Sequence, residues 1–164
     1  MSITPEMEEI LQYLHNKDNY ALFAGFAAFL CTGVEFSPDI DVFVSSPEDV
    51  KEISEDFLRE RWNLLSLNDF LVTVEKNGTT FDIIFSKIAE ETFFPCRIKI
   101  LYKGKHLFTV SLEALFLTKM HLIASLQRSP EKTARDRKVI QILRKKMDGK
   151  KVNELIMNLN DSFW

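Results

Sequence analysis

Residues Ser37 to Val44 read Ser-Pro-Asp-Ile-Asp-Val-Phe-Val, and this stretch decides the fold class. From Asp39 to Val42, charged and apolar residues alternate, and Phe43 and Val44 continue the stretch as apolar residues. That alternation is typical of a β-strand, because successive side chains point to opposite faces of a sheet. Asp39 and Asp41 therefore share one face, about 6.6–6.8 Å apart at a rise of about 3.3–3.4 Å per residue. Two carboxylates so placed predict a cation site.

A third carboxylate, Asp82, lies within the apolar stretch Phe81-Asp82-Ile83-Ile84-Phe85. Burying a lone carboxylate costs several kcal/mol, so such a residue needs a partner, and a divalent cation is the obvious one. Two carboxylates at strand spacing suit two Mg²⁺ ions about 3.5–4 Å apart. We therefore predict that Asp39, Asp41 and Asp82 are the catalytic and metal-binding residues. The alternative is that Asp39 only starts a strand and the other two are solvated.

Cap and turn signals divide the rest of the chain into helices and strands. A capping residue followed by proline, as in Ser129-Pro130, starts a helix. Asn77-Gly78 predicts a hairpin in which Thr73 faces Asp82. Together the signals predict helices over 5–15, 26–32, 47–60, 112–127, 130–146 and 150–160, and strands over 20–24, 39–44, 70–76, 79–85, 97–102 and 106–110.

This order of elements predicts an α/β (α+β) fold with a small mixed sheet flanked by helices. We expect residues 1–110 to form the core that carries the acidic triad. Residues 111–164 should form a helical C-terminal region packed on that core as part of one compact unit.

The net charge of −3 hides an asymmetry along the chain. Residues 1–96 hold 6 Lys+Arg and 18 Asp+Glu, whereas residues 97–151 hold 15 Lys+Arg and 4 Asp+Glu. An acidic half beside a basic half indicates a carboxylate metal site facing a phosphate-binding surface. Chance, together with helix ends that match the helix dipole, is the alternative explanation.

The composition of the chain allows predictions about its cellular compartment. The sequence contains no run of about 18 apolar residues, so we expect no membrane span, and its first residues do not follow the order of a signal peptide. Cys31 and Cys96 both have apolar neighbours in the sequence. We therefore predict two buried thiols in a reducing cytoplasm.

These residues, in this order, resemble the nucleotidyltransferase superfamily, whose best-known members are polymerase-beta-like. The family pattern is a strand, a glycine pair that opens a helix, Asp-x-Asp on the next strand, and a third Asp on a later strand. Here Leu22-Phe23-Ala24-Gly25 supplies the glycine, Ser37-x-Asp39-x-Asp41 supplies the pair, and Asp82 supplies the third acid.

The resemblance is closest to a compact bacterial and archaeal branch related to abortive-infection and type IV toxin–antitoxin proteins. That branch has a helix reading Glu-x-x-x-x-Thr-Lys, and residues Glu113 to Lys119 read EALFLTK. Thr133-Ala134-Arg135-Asp136 keeps the last two positions of a further Arg-x-basic-Asp motif. The resemblance covers roughly residues 20–143.

The resemblance implies an enzyme that transfers a nucleoside monophosphate from a nucleoside triphosphate to a hydroxyl acceptor with the help of Mg²⁺, with two ions expected. Asp82 would help to deprotonate the acceptor. Lys119 would contact the triphosphate, Asp136 would orient Lys119 or the nucleotide, and Arg128 or Lys132 would assist Arg135. The implied nucleotide-binding residues are Gly25, Phe26, Ser37, Lys119, Arg135 and Asp136.

Three positions depart from the family pattern. Phe26 stands where the family has Gly or Ser and where backbone amides approach a phosphate, so its side chain either enters the core or blocks that approach. Glu35 and Phe36 stand where the family often has Arg, and Thr133 replaces the Arg of the last motif.

The departures leave a second class open. It is a catalytically degenerate member that binds a nucleotide or a protein, for example as a toxin–antitoxin component. The acceptor of an active enzyme would be an RNA, a protein or a small molecule. The basic segment 97–151 fits RNA through phosphate contacts, but the 14 Phe, 3 Tyr and 2 Trp are mostly at core-like positions and predict no stacking platform. The apolar tail Ser162-Phe163-Trp164 is a candidate docking segment. The oligomeric state is left open by the sequence.

Overall fold

A computed structural model describes residues 2–34, 36–124 and 128–159 of the chain. Within these residues, seven helices and seven strands form an α/β fold with one mixed sheet, as predicted. The helices are α1 (Pro5–His15), α2 (Ala24–Thr32), α3 (Pro47–Arg59), α4 (Lys87–Thr92), α5 (Leu112–Ala124), α6 (Pro130–Lys146) and α7 (Gly149–Asn158). The strands are β1 (Tyr20–Phe23), β2 (Asp39–Val44), β3 (Asn63–Leu67), β4 (Leu71–Lys76), β5 (Thr79–Ile84), β6 (Ile98–Tyr102) and β7 (Lys105–Thr109).

The sheet has the order β3-β4-β5-β2-β1-β7-β6. The central strand β2 runs antiparallel to β1 and parallel to β5, and β4 and β5 form the predicted hairpin. Because side chains alternate along β2, Ile40, Val42 and Val44 are buried on one face, while Asp39 and Asp41 lie on the other. The sheet thus separates a predominantly apolar layer from the face that carries the carboxylates.

Helices α1 and α3 cover the apolar face. Phe57 of α3 packs edge-on against Phe81 of β5 with the ring centroids 4.9 Å apart, and Tyr13 of α1 contacts Phe57 at the same distance. On the other side, α5 packs against α2, α6 and α7. No helix among the described residues is long and apolar enough to cross a bilayer.

Three predicted helix starts, those of α1, α3 and α6, are confirmed by their caps, whereas the helix predicted from residue 26 begins at Ala24. The Thr4 hydroxyl accepts a hydrogen bond from the Met7 amide at 3.1 Å. The Ser46 and Ser129 hydroxyls accept equivalent bonds from amides three residues later, at 3.3 Å each. Each cap satisfies an amide that has no partner inside the helix, so local chemistry alone sets these starts.

Two elements were not predicted. All five residues of β3 are exposed, so its sequence shows no alternation of buried and exposed positions. Helix α4 has six residues, too few for a periodic pattern. The second hairpin is also tighter than predicted, because Lys105 pairs with Tyr102 across a two-residue turn at Lys103-Gly104. Both turn residues have positive φ, 48° and 79°, which suits a two-residue hairpin.

The prediction of two buried thiols is wrong for Cys96, which is exposed. Its apolar neighbours in the sequence pack away from it. Cys31 is half-buried, and burial raises the pKa of its thiol to about 11. Glu35, the end of the predicted helix 112–127 and the apolar tail 160–164 lie outside the described residues.

Candidate active site

A cleft of about 350 Å³ lies on the carboxylate face of the sheet, between the strand ends and helices α5 and α6. Asp39, Asp41 and Asp82 line one side of it. The cations of the later part of the chain line the other side, so the charge asymmetry of the sequence becomes two facing walls. The cationic and polar lining residues are Ser37, Thr80, Lys119, Arg128, Lys132 and Arg135.

The parallel pairing of β2 with β5 brings the three carboxylates together. Asp41 lies opposite Asp82, and Asp39 lies opposite Thr80. The Thr80 hydroxyl donates to Asp39 Oδ1 at 2.6 Å, and the Ser37 hydroxyl donates to Asp39 Oδ2 at 2.9 Å. Both oxygens of Asp39 are therefore held in place, and Ser37, predicted to bind nucleotide, contacts a carboxylate.

Asp82 is held from the neighbouring strand. Thr73 lies opposite it on β4, as the hairpin register predicted, and the Thr73 hydroxyl donates to Asp82 Oδ1 at 2.5 Å. The hydroxyls of Thr73 and Thr80 were not predicted as supports for the acids. The spacing in the sequence contained this information. Thr80 and Asp82 are two residues apart on one strand, like Asp39 and Asp41, so their side chains lie on the same face of the sheet.

Negative charge accumulates at the triad. Burial raises the pKa of Asp41 to about 8, and its hydrogen bond with Asp82 and the charges of Asp82 and Asp39 add to the effect. Lys119 opposes the shift from a distance. Among the described residues, none of the three carboxylates lies within 4.0 Å of a cationic side chain.

The donor atoms suit a hard cation, which takes carboxylate and hydroxyl oxygens as ligands. As the side chains stand, no group of three His, Cys, Asp or Glu residues in the described ranges is arranged to hold a metal ion. Hydroxyl bonds occupy both oxygens of Asp39 and one of Asp82. A bound ion would therefore share or replace those bonds.

The opposite wall contains a buried ion network. Lys119 of α5 and Asp136 of α6 form a 2.8 Å ion pair, with 5% and 3% of their side-chain surfaces exposed. Arg128 Nε also donates to Asp136, at 2.5 Å. One carboxylate thus positions two cations at the cleft, and the predicted contact between Lys119 and Asp136 is present. Arg135 and Lys132 line the same wall without a carboxylate within 4.0 Å in the described residues.

The start of α2 forms the floor of the cleft. Ala24, the first residue of α2, has a φ of 61°, and a Cβ added to Gly25 would meet no atom within 4 Å. Packing therefore does not require glycine at this position. Because Gly25 has no side chain, its backbone is accessible from the cleft. This backbone lies at a helix N-terminus, which favours anions.

The side chain of Phe26, which is among the predicted nucleotide-binding residues, enters the core instead of the cleft. It is fully buried and packs against the rings of Phe29, Phe36 and Tyr102, and it does not line the cleft. The reason is helical geometry: one step of about 100° from Gly25 turns the side chain from the cleft into the core. Phe26 therefore does not block the approach to Gly25, and it offers a ligand only its backbone.

Comparison with known proteins shows the class of fold. The chain superposes on ANT(2'')-Ia in complex with adenylyl-2''-tobramycin with a TM-score of 0.70 and 13% identity, covering 98% of this chain and 100% of that one. For the lincosamide adenylyltransferase LnuA bound to lincomycin, the TM-score is 0.62 at 14% identity, over 87% and 99%.

An antigenic nucleotidyltransferase-like protein from Paracoccidioides brasiliensis gives a TM-score of 0.59 at 16% identity, over 92% of this chain and 83% of that one. The chain therefore has the nucleotidyltransferase fold, as the sequence resemblance implied. By sequence, no family model and no curated protein matches it.

Proposed function

We propose that the chain is a nucleotidyltransferase that moves a nucleoside monophosphate from a nucleoside triphosphate to a hydroxyl acceptor, with Mg²⁺ as cofactor. The observation that carries the proposal is the juxtaposition of Asp41 and Asp82 on parallel strands, with Asp39 on the same face and a cationic wall opposite. A triphosphate with bound metal ions is complementary in charge to both walls. Its phosphates would pair with the cations, and its metal ions would bind the carboxylates.

Asp39, Asp41 and Asp82 are the residues that would hold the metal. When bound, Mg²⁺ offsets charge on the attacking and leaving oxygens and relieves the repulsion among the carboxylates. Thr80, Ser37 and Thr73 keep Asp39 and Asp82 oriented through their hydroxyls. Such fixed orientation is what a transfer reaction needs from its ligands.

The reaction makes one P–O bond and breaks another. The acceptor oxygen attacks the α-phosphorus, the bond to the bridging oxygen breaks, and pyrophosphate leaves. The acceptor proton passes to a carboxylate of the triad, for which Asp82 is the candidate. Lys119 and Arg135 lie where they can contact the leaving phosphates, and Gly25 gives a phosphate access to the backbone.

The acceptor class follows from the charges on α6. Lys132, Arg135, Arg137, Lys138, Arg144 and Lys145 have no carboxylate within 4.0 Å among the described residues, whereas the two carboxylate-paired cations beside α6, Lys119 and Arg128, share the buried Asp136. Of these unpaired cations, Lys132 and Arg135 line the cleft and the others continue along α6. Unbalanced positive charge along this helix favours a polyanion, and we propose RNA as the acceptor. A small-molecule or protein acceptor is the competing outcome.

Calorimetry tests the donor half of the proposal. Each of the four ribonucleoside triphosphates is titrated with and without Mg²⁺ into the wild type, Asp41→Asn and Asp18→Asn. Asp18 is an exposed loop residue outside the cleft and serves as the matched control. We expect binding that needs Mg²⁺ and is lost in Asp41→Asn but kept in Asp18→Asn. No binding at millimolar nucleotide would refute the donor assignment.

Transfer is tested separately. A triphosphate labelled at the α-phosphate is incubated with total RNA, with total protein and with small-molecule extract, and pyrophosphate release is measured. Label in RNA supports the acceptor assignment, whereas label only in protein or in a small molecule refutes it and leaves the transferase assignment intact.

One observation favours a second candidate, a nucleotide-binding member that performs no transfer. Asp136 engages both Lys119 and Arg128, so part of the positive charge of the cleft is already offset in the free protein. Binding of a triphosphate without pyrophosphate release from any acceptor pool would select this candidate. A protein-binding role in a toxin–antitoxin pair would instead require binding without a nucleotide.

A further inference from the structure

An apolar row of side chains lies beside the acidic triad, on the same face of the sheet. It crosses four neighbouring strands at one register, and its members are Leu71, Ile84, Phe43 and Ala21. Asp41 precedes Phe43, and Asp82 precedes Ile84, by two residues, so a step of about 6.6–6.8 Å along each strand separates the acids from the row. Leu71, Ile84 and Phe43 are only partly buried, which leaves apolar surface open beside the acids.

Two phenylalanine rings form a stacked pair at this border. Phe23, the last residue of β1, lies directly opposite Asp41, and its ring stacks on that of Phe43 with the centroids 3.9 Å apart and the planes at 14°. Both rings are partly buried, and Phe43 is the one ring neighbour of Phe23 among the described residues. The buried ring of Phe93, after α4, supports Phe43 at 6.2 Å. The pair is thus an aromatic surface held in place next to the triad.

The charged cleft lies on the other side of the acids. Its lining includes Asp39 and Thr80, which precede Asp41 and Asp82 by two residues on their strands, and Lys119 of the cationic wall. Neither of the two stacked rings lines it. The triad is therefore the border between a space that suits phosphates and a surface that suits an apolar or aromatic group.

The geometry of the proposed transfer assigns one substrate to each side. The attacking and leaving oxygens of a phosphoryl transfer are roughly in line, on opposite sides of the phosphorus. The leaving phosphates belong in the cleft, because Lys119 and Arg135 line it. The attacking hydroxyl then approaches from the side of the apolar row. The part of the acceptor next to that hydroxyl meets Phe23 and Phe43.

We propose, on the basis of the proposed function, that Phe23 and Phe43 form the subsite for the terminal nucleobase of the RNA acceptor. Stacking of this base on the rings positions the terminal ribose hydroxyl at Asp82, while the cations of α6 bind the phosphate backbone. A nucleobase is the aromatic group that the end of an RNA chain offers, and its stacking on a protein ring contributes about 5- to 150-fold in affinity. Phe23 and Phe43 are therefore positioning residues for the acceptor.

A fluorescent base at the end of an RNA reports this stacking directly. The probe is a single-stranded RNA of about 12 nucleotides whose 3′ base is a fluorescent purine that stacking quenches. A second RNA carries the same purine at its 5′ end. Each is titrated with the full chain, Mg²⁺ and a triphosphate analogue that cannot be cleaved between its α- and β-phosphates. We expect quenching at the 3′ end and none at the 5′ end.

Phenylalanine-to-leucine variants test the two rings. Phe23→Leu and Phe43→Leu should remove the quenching and weaken binding of the RNA about 5- to 20-fold, because leucine fills space but does not stack. Phe108→Leu is the matched control, since Phe108 is a partly buried phenylalanine of β7 that contacts Tyr20. It should stay within about 2-fold of the wild type. Circular dichroism verifies that each variant is folded.

An RNA without its terminal base separates stacking from a general loss of structure. The wild type should bind this RNA about 5- to 20-fold more weakly than the complete RNA. Phe23→Leu should bind it as the wild type does, because the missing base and the missing ring remove the same interaction. A purely structural effect of the variant would weaken both RNAs equally.

Three outcomes would overturn this assignment. The first is a wild type that binds the triphosphate but not the RNA, or binds the RNA without quenching at its 3′ end. The second is quenching that persists in Phe23→Leu and Phe43→Leu. The third is loss of triphosphate binding in Phe23→Leu, which would place the ring in the donor site. Calorimetry with triphosphate alone detects failure of the proposed function separately, since it needs no RNA.

Discussion

Asp41 and Asp82 lie directly opposite each other on parallel strands β2 and β5, although 40 residues of chain lie between them. Two carboxylates at this register repel, and burial strengthens the repulsion. Burial is the largest cause of the raised pKa of Asp41, which is about 8, and the hydrogen bond with Asp82 and the charges of Asp82 and Asp39 add to it. The free protein therefore carries electrostatic strain at the position where the proposed reaction needs positive charge.

The first prediction concerns the metal-free protein. An unfolded chain releases the Asp41 proton near pH 3.8, whereas the folded chain holds it to about pH 8. The folded state therefore loses stability as the pH rises from about 4 to about 8. In EDTA, Asp41→Asn should lose less of its thermal midpoint between pH 5 and pH 8.5 than the wild type does. At about 2–4 °C per kcal/mol, the difference should be several degrees. An Asp41→Asn variant whose thermal midpoint falls as much as that of the wild type between pH 5 and pH 8.5 would contradict this.

The second prediction concerns binding of Mg²⁺. The ion must displace the Asp41 proton, so its apparent affinity should rise with pH, by up to about tenfold per unit, and level off above about pH 8. Calorimetry at pH 7 in two buffers of different ionisation enthalpy should show release of protons. An affinity that stays constant between pH 6 and pH 8 would exclude Asp41 as a ligand that titrates.

The third prediction concerns the buried network on α5 and α6. Asp136→Asn leaves Lys119 and Arg128 without their shared carboxylate, which should destabilise the fold by about 3–5 kcal/mol. Lys132→Met, at an exposed position of the same wall, should change the stability by less than about 0.5 kcal/mol. Urea unfolding measures both variants. If the two variants have similar free energies of unfolding, the buried ion network does not contribute to the stability of the fold.

The fourth prediction separates the two roles considered for Phe26. Because its side chain fills the core, Phe26→Ala should cost about 3–5 kcal/mol of folding free energy. Phe26→Leu, which keeps most of the volume, should leave triphosphate affinity within about 2-fold of the wild type. A marked gain in affinity for Phe26→Leu would show that the ring does obstruct the cleft. Urea unfolding and calorimetry give the two readouts.

The fifth prediction concerns the thiols. Cys96 is exposed, whereas Cys31 is half-buried and its thiol pKa is raised to about 11. At pH 8, an aromatic disulfide reagent should therefore modify Cys96 first and Cys31 at least about 10-fold more slowly, because the thiolate is the reactive form. Cys96→Ser should remove the fast phase, and Cys31→Ser should keep it. If both thiols of the wild type react at the same rate, the predicted order of reactivity, Cys96 before Cys31, is wrong.

Several features of the fold could be predicted from the sequence because they depend on local interactions. The capping residue and proline at Ser129-Pro130 predicted the start of α6, and Asn77-Gly78 predicted the register that places Thr73 opposite Asp82. Alternation in β2 placed Asp39 and Asp41 on one face. Each of these depends on residues a few positions apart, whose geometry the backbone largely dictates.

Other features depend on contacts between distant parts of the chain, and only the tertiary structure decided them. The pairing of β2 with β5 brings Asp41 to Asp82, and the packing of α5 on α6 joins Lys119 to Asp136. The direction of the Phe26 ring and the exposure of Cys96 follow from what packs around them. The sequence by itself determined most of the elements, with β3 and α4 as the exceptions, and the acids they carry. Which acid meets which cation was decided by long-range packing, because no local signal encodes the partner of a buried charge.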